Sequence, residues 1–245
     1  MATIKDRGIV LRETAYNEAD THLVLLLKER GKLVVSAKGA RKPKSKLNAA
    51  AQPFVYAEFV LFEGDGFYSL ASAEVIESFY RLREDFARYC HAAYFLELAD
   101  RFLLREMDVR EPLRLILRGL QALARGVPGA ELVSAIFTYK FLQLEGYSPV
   151  MDACAFCGGE IGGGKLLFAA EGLCCADCLR AGEVRALRID ETVAACIRSV
   201  LDGDADGLFR VDAEEDVRLA LAKTARLFRE ANVEKSFKSL TMLYE

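Results

Sequence analysis

Through its first 78 residues the chain places apolar positions in short runs separated by turn residues. "IKDRGIVLRET", "HLVLLLK" and "GKLVVSA" predict three strands, the last two joined by a tight turn at Glu29-Arg30-Gly31. "PFVYAEFVLF" alternates Phe54, Tyr56 and Glu58 with Val55, Ala57 and Phe59, which predicts a fourth strand. After the turn signal "EGDG", "FYSLASAEVI" predicts a fifth. Five short strands in so small a space suit a closed barrel, and the five-stranded Greek-key OB-fold is the natural candidate.

From Arg83 the period changes. "EDFARYCHAAYFLELADRFLL" sets Phe86, Tyr89, Cys90, Ala93, Leu96, Leu103 and Leu104 at helical spacings. Pro112, at a first-turn position, opens "EPLRLILRGLQALA", and "GVPG" breaks it. "AELVSAIFTYKFLQLEG" is a further helix closed by Gly146, with Pro149 just beyond. "DETVAACIRSVL" and "DAEEDVRLALAKTARLFRE" follow, the second with Asp212 and Glu215 at capping-box spacing. The expected fold is α+β and multi-domain. An OB-fold over 1–80 is followed by a helical domain over 81–245, which carries a cysteine-rich insert at about 150–182.

Composition narrows the class. The chain has 245 residues, is 52% hydrophobic and 28% charged, and can bury a true core. No uninterrupted apolar run reaches the roughly 18 residues that span a bilayer. Charges at Lys5, Asp6, Arg7, Arg12 and Glu13 interrupt any signal-peptide core. The expectation is a cytoplasmic protein with no membrane partner.

Four of the seven cysteines form "CAFC" (Cys154, Cys157) and "CADC" (Cys175, Cys178), a C-x2-C-x17-C-x2-C pattern. Two turns that each present two thiolates suit one tetrahedral ion, and zinc is the metal of choice. Such a site is closed and therefore structural. A redox dithiol pair and four unligated thiols are the competing readings. Cys174 leaves the ligand choice open, since Cys174 and Cys178 have C-x3-C spacing, although Cys175 better matches the first pair. Cys90 and Cys196 sit on apolar helical faces as small core residues. "GGEIGGG" lacks the Gly-Lys-Ser/Thr ending of a phosphate loop.

The net charge of −3 hides an asymmetry. Eight cations stand against Glu29 alone from Lys28 to Lys46, whereas Leu47 to Ser78 holds five acids and no cation. The densest stretch, "KGARKPKSKLN", carries Lys38, Arg41, Lys42, Lys44 and Lys46. Pro43 keeps it from being a helix interior, so it reads as a loop on the barrel rim. Such a run steers anionic partners, nucleic acid foremost, or it is a solvated lysine-rich loop. Phe54, Tyr56, Phe67 and Tyr68 are candidate stacking platforms, each more readily explained as core.

Four stretches together resemble the RecO family of bacterial recombination mediators and DNA repair proteins. They are "DRGIVLRETAYNEADTHLVLLLKERGKLVVSAKGARKPKSKL", "AEVIESFYRLREDFARYCHAAYFLELADRFL", "LQLEGYSPVMDACAFCGG" and the terminal "FKSLTMLYE". The resemblance runs in order over nearly the whole length. It implies an OB-fold, a helical domain and, in some members, a four-cysteine zinc site. It also implies binding of single- and double-stranded DNA, annealing of complementary strands, and work with RecR to place RecA on strands coated by single-strand binding protein. The place of action it implies is the cytoplasm, at the nucleoid during repair. The family's basic segment corresponds here to Lys38, Arg41, Lys42 and Lys44, with Lys32 and Lys46 adjacent. The extra cysteine in "GLCCADC" departs from the family pattern.

Two other functions compete. A metal-dependent nuclease needs ligands beyond the cysteines, and His22 and His91 lie in unrelated contexts with no carboxylate cluster. The expectation is therefore no catalytic residues. A zinc-stabilised protein–protein adaptor predicts no salt-sensitive DNA binding.

Overall fold

The computed structural model describes all residues except 1, 65, 127, 162–165, 182–184, 235 and 245. The chain forms two compact units, Met1–Ala124 and Arg125–Glu245.

The first unit is built on a closed barrel of β1 (Ala2–Ala15), β2 (Thr21–Leu27), β3 (Gly31–Ala37), β4 (Tyr56–Glu63) and β5 (Tyr68–Glu77). Their order is β1-β2-β3-β5-β4, the Greek-key arrangement of an OB-fold. The long β1 closes the barrel by serving two neighbours. Its first half pairs with β4 and its second with β2. Gly8 stands where the two pairings meet, opposite both Leu27 and Ala57. A Cβ there would lie 2.2 Å from the Leu26 carbonyl oxygen, so the residue must be glycine. A register shift between Val10 and Arg12 bends the strand just beyond. The short parallel pairing Val35↔Tyr68 and Ser36↔Ser69 seals the other side.

Side-chain alternation decides what fills the barrel. Leu23, Leu25 and Leu27 of β2, Leu33 and Val35 of β3, and Ala57, Phe59 and Leu61 of β4 share one core. Burying each of the larger ones contributes about 1.5–3 kcal/mol, and emptying one such position, as in Phe59→Ala, costs about 3–5 kcal/mol. β2 is apolar on its outer face too, where Val24 and Leu26 are buried although they point away from that core. Helix α1 (Phe86–Phe102) lies against β1, and its Asp100 bonds to Arg12 of β1 at 3.1 Å and to Lys32 of β3. Asp85 caps α1 by accepting the Arg88 N–H at 3.0 Å. The helix is buried on nearly every side, from Cys90 and His91 to Leu98 and Ala99. Burial of His91 pulls its imidazole down to about 4. The strands end close to residue 80, where the sequence suggests a boundary. The compact unit runs on through α1 and into α2 (Arg110–Arg125), because α1 covers the barrel.

In the second unit α3 (Ala130–Leu144) is apolar all round and central. Its Tyr139 ring stacks on Phe228 at 5.5 Å and meets Phe168 edge-on at 6.3 Å. Gly146, with φ +92°, ends the helix as the sequence suggests. A small sheet that periodicity did not reveal follows. It consists of β6 (Leu166–Ala169), β7 (Gly172–Cys174) and β8 (Leu187–Ile189), in the order β7-β6-β8. The short α4 (Ala176–Ala181) separates β7 from β8. Asp190 caps α5 (Glu191–Asp202) through the Val193 N–H at 2.9 Å. Helix α6 (Glu215–Asn232) departs from the capping-box expectation. Its N-cap is Glu214, which makes no side-chain cap bond, and Asp212 lies before the helix. α7 (Lys238–Tyr244) ends the fold. Among the described residues no helix is long and apolar enough to cross a membrane.

Candidate nucleic-acid interface and metal centre

Lys38, Arg41, Lys42, Lys44 and Lys46 all lie on the connection between β3 and β4, and all five are exposed. None forms an ion pair with a described carboxylate. Two acids of the following segment have partners elsewhere: Glu58 holds Lys5 at 2.6 Å and Arg7 at 3.3 Å, and Glu63 accepts the Tyr68 hydroxyl at 2.9 Å.

The basic connection is anchored, not loose. Its partner is the turn between β1 and β2. Asp20 accepts the Gly39 N–H at 2.7 Å, and the Ala19 carbonyl accepts the Arg41 N–H at 3.0 Å. The Arg41 guanidinium donates to the Asn17 carbonyl oxygen at 2.6 Å. Asn17 shapes that turn with its own side chain, accepting the N–H groups of Ala19 and Asp20. The Gly39 N–H, then the Asn17 amide and the charges of Lys38 and Lys42, hold the Asp20 carboxyl below the usual carboxylate range. Gly39 itself has φ +68°, which explains a glycine between Lys38 and Ala40. Asn48 closes the far end by donating to the Ala40 carbonyl at 3.2 Å.

Lys32 is set apart from the run. Its ammonium bonds to the backbone oxygen of Asp100 and meets the Asp100 carboxylate at 3.3 Å. This cation fastens α1 to the barrel, so it is not a free charge beside the other five. The basic surface gains instead from Arg83, which sequence spacing could not associate with the run. Arg41, Arg83, Phe54 and Tyr89 border an open cleft of about 410 Å³. Arg83 lies 5.6 Å from the Phe54 ring centre and donates to the Pro53 carbonyl at 3.1 Å. Of the four aromatic candidates, Phe54 and Tyr68 are buried and Tyr56 is half-buried, whereas Phe67 is exposed.

The second site lies in the other unit. The sulfurs of Cys154, Cys157, Cys175 and Cys178 all lie within 4.8 Å of one another, a cluster that could hold a metal ion. Cys157 and Cys175 are 3.9 Å apart at sulfur, close to the roughly 3.8 Å edge of a tetrahedron with metal–sulfur bonds of about 2.3 Å. The first knuckle turns tightly: Gly158 N–H donates to the Cys154 carbonyl at 2.9 Å with φ +71°. The second joins the end of β7 to α4, with the Cys178 N–H donating to the Cys175 sulfur at 3.4 Å. Gly172 seats β7 against Val150, and a Cβ there would lie 2.2 Å from the Val150 oxygen. Residues 162–165, the end of the glycine run, lie outside the described residues.

The backbone N–H of Cys175, then that of Cys157, pull the Cys154 thiol down to about 6. The Cys178 thiol is pushed up, first by its hydrogen bond to Cys175. One sulfur of the cluster thus favours thiolate while a neighbour keeps its proton in hydrogen bonds between the sulfurs, a proton that a bound cation would displace. Cys174 is outside the quartet. Its buried thiol donates to the Cys175 carbonyl at 3.3 Å.

The family description "Recombination protein O N terminal" matches residues 1–79, and "Recombination protein O C terminal" matches residues 83–241. Among similar proteins, the DNA repair protein RecO of Acetivibrio thermocellus is 31% identical over 244 residues, covering 99% of this chain and 97% of its own. That of Symbiobacterium thermophilum is also 31% identical, with 99% and 97% covered. That of Shouchella clausii is 34% identical, with 88% and 84% covered. Two family matches laid end to end, on a closed barrel and a helical unit with clustered cysteines, place this chain in the RecO family of DNA repair proteins.

Proposed function

We propose that the chain is a recombination mediator that grips DNA through the connection between β3 and β4. One observation carries this reading: five exposed cations on one anchored segment, none paired with a described carboxylate. Lys38, Arg41, Lys42, Lys44 and Lys46 neutralise phosphates of one or two strands and lower the repulsion between them. Base pairing then supplies the specificity, so the protein anneals complementary strands without reading sequence. Working with RecR, it assists RecA loading on strands coated by single-strand binding protein, in the bacterial cytoplasm. The role needs no bond chemistry, and the protein is not an enzyme. The four thiolates of Cys154, Cys157, Cys175 and Cys178 suit zinc, which would hold the two knuckles together and leave no coordination position for a substrate.

The test is fluorescence anisotropy with a labelled single strand at increasing salt. Contact with about five phosphates gives a log–log slope of about −3.5, or roughly a hundredfold loss of affinity between about 50 and 200 mM salt. Replacing Arg41, Lys42 and Lys44 with alanine flattens that slope. An unchanged slope and affinity removes the segment from the binding site.

A further inference from the structure

Beside the basic segment the outer surface of the barrel carries an aromatic pair that the phosphate grip does not use. Tyr16, on the turn between β1 and β2, stacks on His22 of β2 with ring centres 4.4 Å apart and planes 22° from parallel. His22 stacks against the phenol, and Tyr16 remains 67% exposed. Register places His22 opposite Ser36, and the next outward pair is Val24 and Val34, of which Val34 is 62% exposed. The outer face of β2 and β3 is therefore divided. Asp100 of α1 engages Lys32 towards one end, while His22, with Tyr16 stacked on it, and Ser36 lie towards the other.

The open end adjoins the cations. Asn17, the residue after Tyr16, accepts the Arg41 guanidinium, and Asp20 of the same turn accepts the Gly39 N–H. Tyr16 thus sits one Cα step, about 3.8 Å, from the residue that holds Arg41. The Asx turn of Asn17 and the Tyr16 N–H donating to the Asp20 carbonyl at 3.2 Å fix the backbone beneath the ring. A stacked, exposed ring on the turn that binds Arg41 and Gly39 matches a nucleotide: a base to stack and a phosphate to neutralise.

We infer that Tyr16, backed by His22, is a stacking platform for an unpaired base of single-stranded DNA whose phosphates lie on Lys38, Arg41 and Lys42. This rests on the proposed phosphate grip and adds a preference to it. A duplex keeps its bases stacked on one another and uses the cations alone, while a single strand uses the ring as well.

The experiment compares the full chain with Tyr16→Ala, Tyr16→Phe and Tyr16→Trp. The probes are an oligothymidylate, an abasic strand of the same length, and a duplex. Stacking of one base predicts that the unsubstituted chain binds the abasic strand about tenfold more weakly than the intact strand, at equal salt slope. Tyr16→Ala loses the same factor on the intact strand and nothing on the duplex, and Tyr16→Phe retains full affinity. The chain contains no tryptophan. In Tyr16→Trp the single indole is therefore quenched by the intact strand and not by the abasic one. Equal affinity for intact and abasic strands, an unquenched indole at saturation, or equal loss on duplex and single strand overturns the platform and leaves the phosphate grip standing. Absence of salt-sensitive binding to every probe overturns the grip, and the platform with it.

Discussion

The carboxylate of Asp20, at the end of the β1–β2 turn, accepts the backbone N–H of Gly39 at 2.7 Å. One acid thus ties down the segment that carries five cations, and its charge lies beside Lys38 and Lys42. The two roles separate on substitution. Asp20→Asn keeps an oxygen acceptor and removes the charge, so DNA affinity rises and the salt slope steepens. Asp20→Ala removes the anchor, so trypsin cuts faster after Arg41, Lys44 and Lys46. Equal cleavage rates for Asp20→Ala and the unsubstituted chain would show that the other bonds hold the segment alone.

Lys32 behaves differently from its neighbours in sequence. Removing its ammonium leaves the Asp100 backbone oxygen without that donor. Lys32→Ala lowers stability by about 1 kcal/mol in urea titrations and leaves the salt slope of DNA binding unchanged. A flattened slope would return Lys32 to the interface.

The metal centre makes a stoichiometric prediction. The purified chain holds one zinc ion, measured by elemental analysis. Cys175→Ser loses it, and Cys174→Ser keeps it, because the Cys174 sulfur stands outside the quartet. Chelation melts the second unit at lower temperature and leaves DNA binding by the barrel in place. Loss of metal from Cys174→Ser would exchange the ligand assignment.

His91 sets a pH dependence. Burial holds its imidazole at about 4 in the fold, against 6.5 when free. Between these values the unfolded chain takes up a proton that the folded chain refuses. Stability therefore falls as pH drops from about 6.5 towards 4, by up to about 1.4 kcal/mol per pH unit. Urea midpoints at several pH values with saturating zinc, compared with His91→Gln, isolate this contribution. Parallel curves for the two proteins would exclude it.

Local pattern suffices for much of this molecule. Alternation in "GKLVVSA" and "PFVYAEFVLF" is set by the two-residue period of a strand, and the five strands lie close to where that period puts them. The spacing of Cys154, Cys157, Cys175 and Cys178 carries the quartet, because each knuckle is a local turn. The cations from Lys38 to Lys46 are close neighbours along the chain, and no folding could scatter them far.

Tertiary structure decided which of these groups are free. Lys32 differs from Lys38 only because Asp100, 68 residues away, reaches it. Arg83 joins the basic cleft, Tyr16 stands open while Phe54 is buried, and Cys174 stays outside the quartet. Each outcome depends on which element packs over a given face, and periodicity along one strand carries no information about that. The sequence by itself determined the β-barrel pattern, the cysteine pairs and the positive segment, since these are short-range properties. Burial and pairing across tens of residues were settled only by packing, as where Asp100 of α1 takes Lys32, because exposure belongs to the packed surface and not to any one stretch of chain.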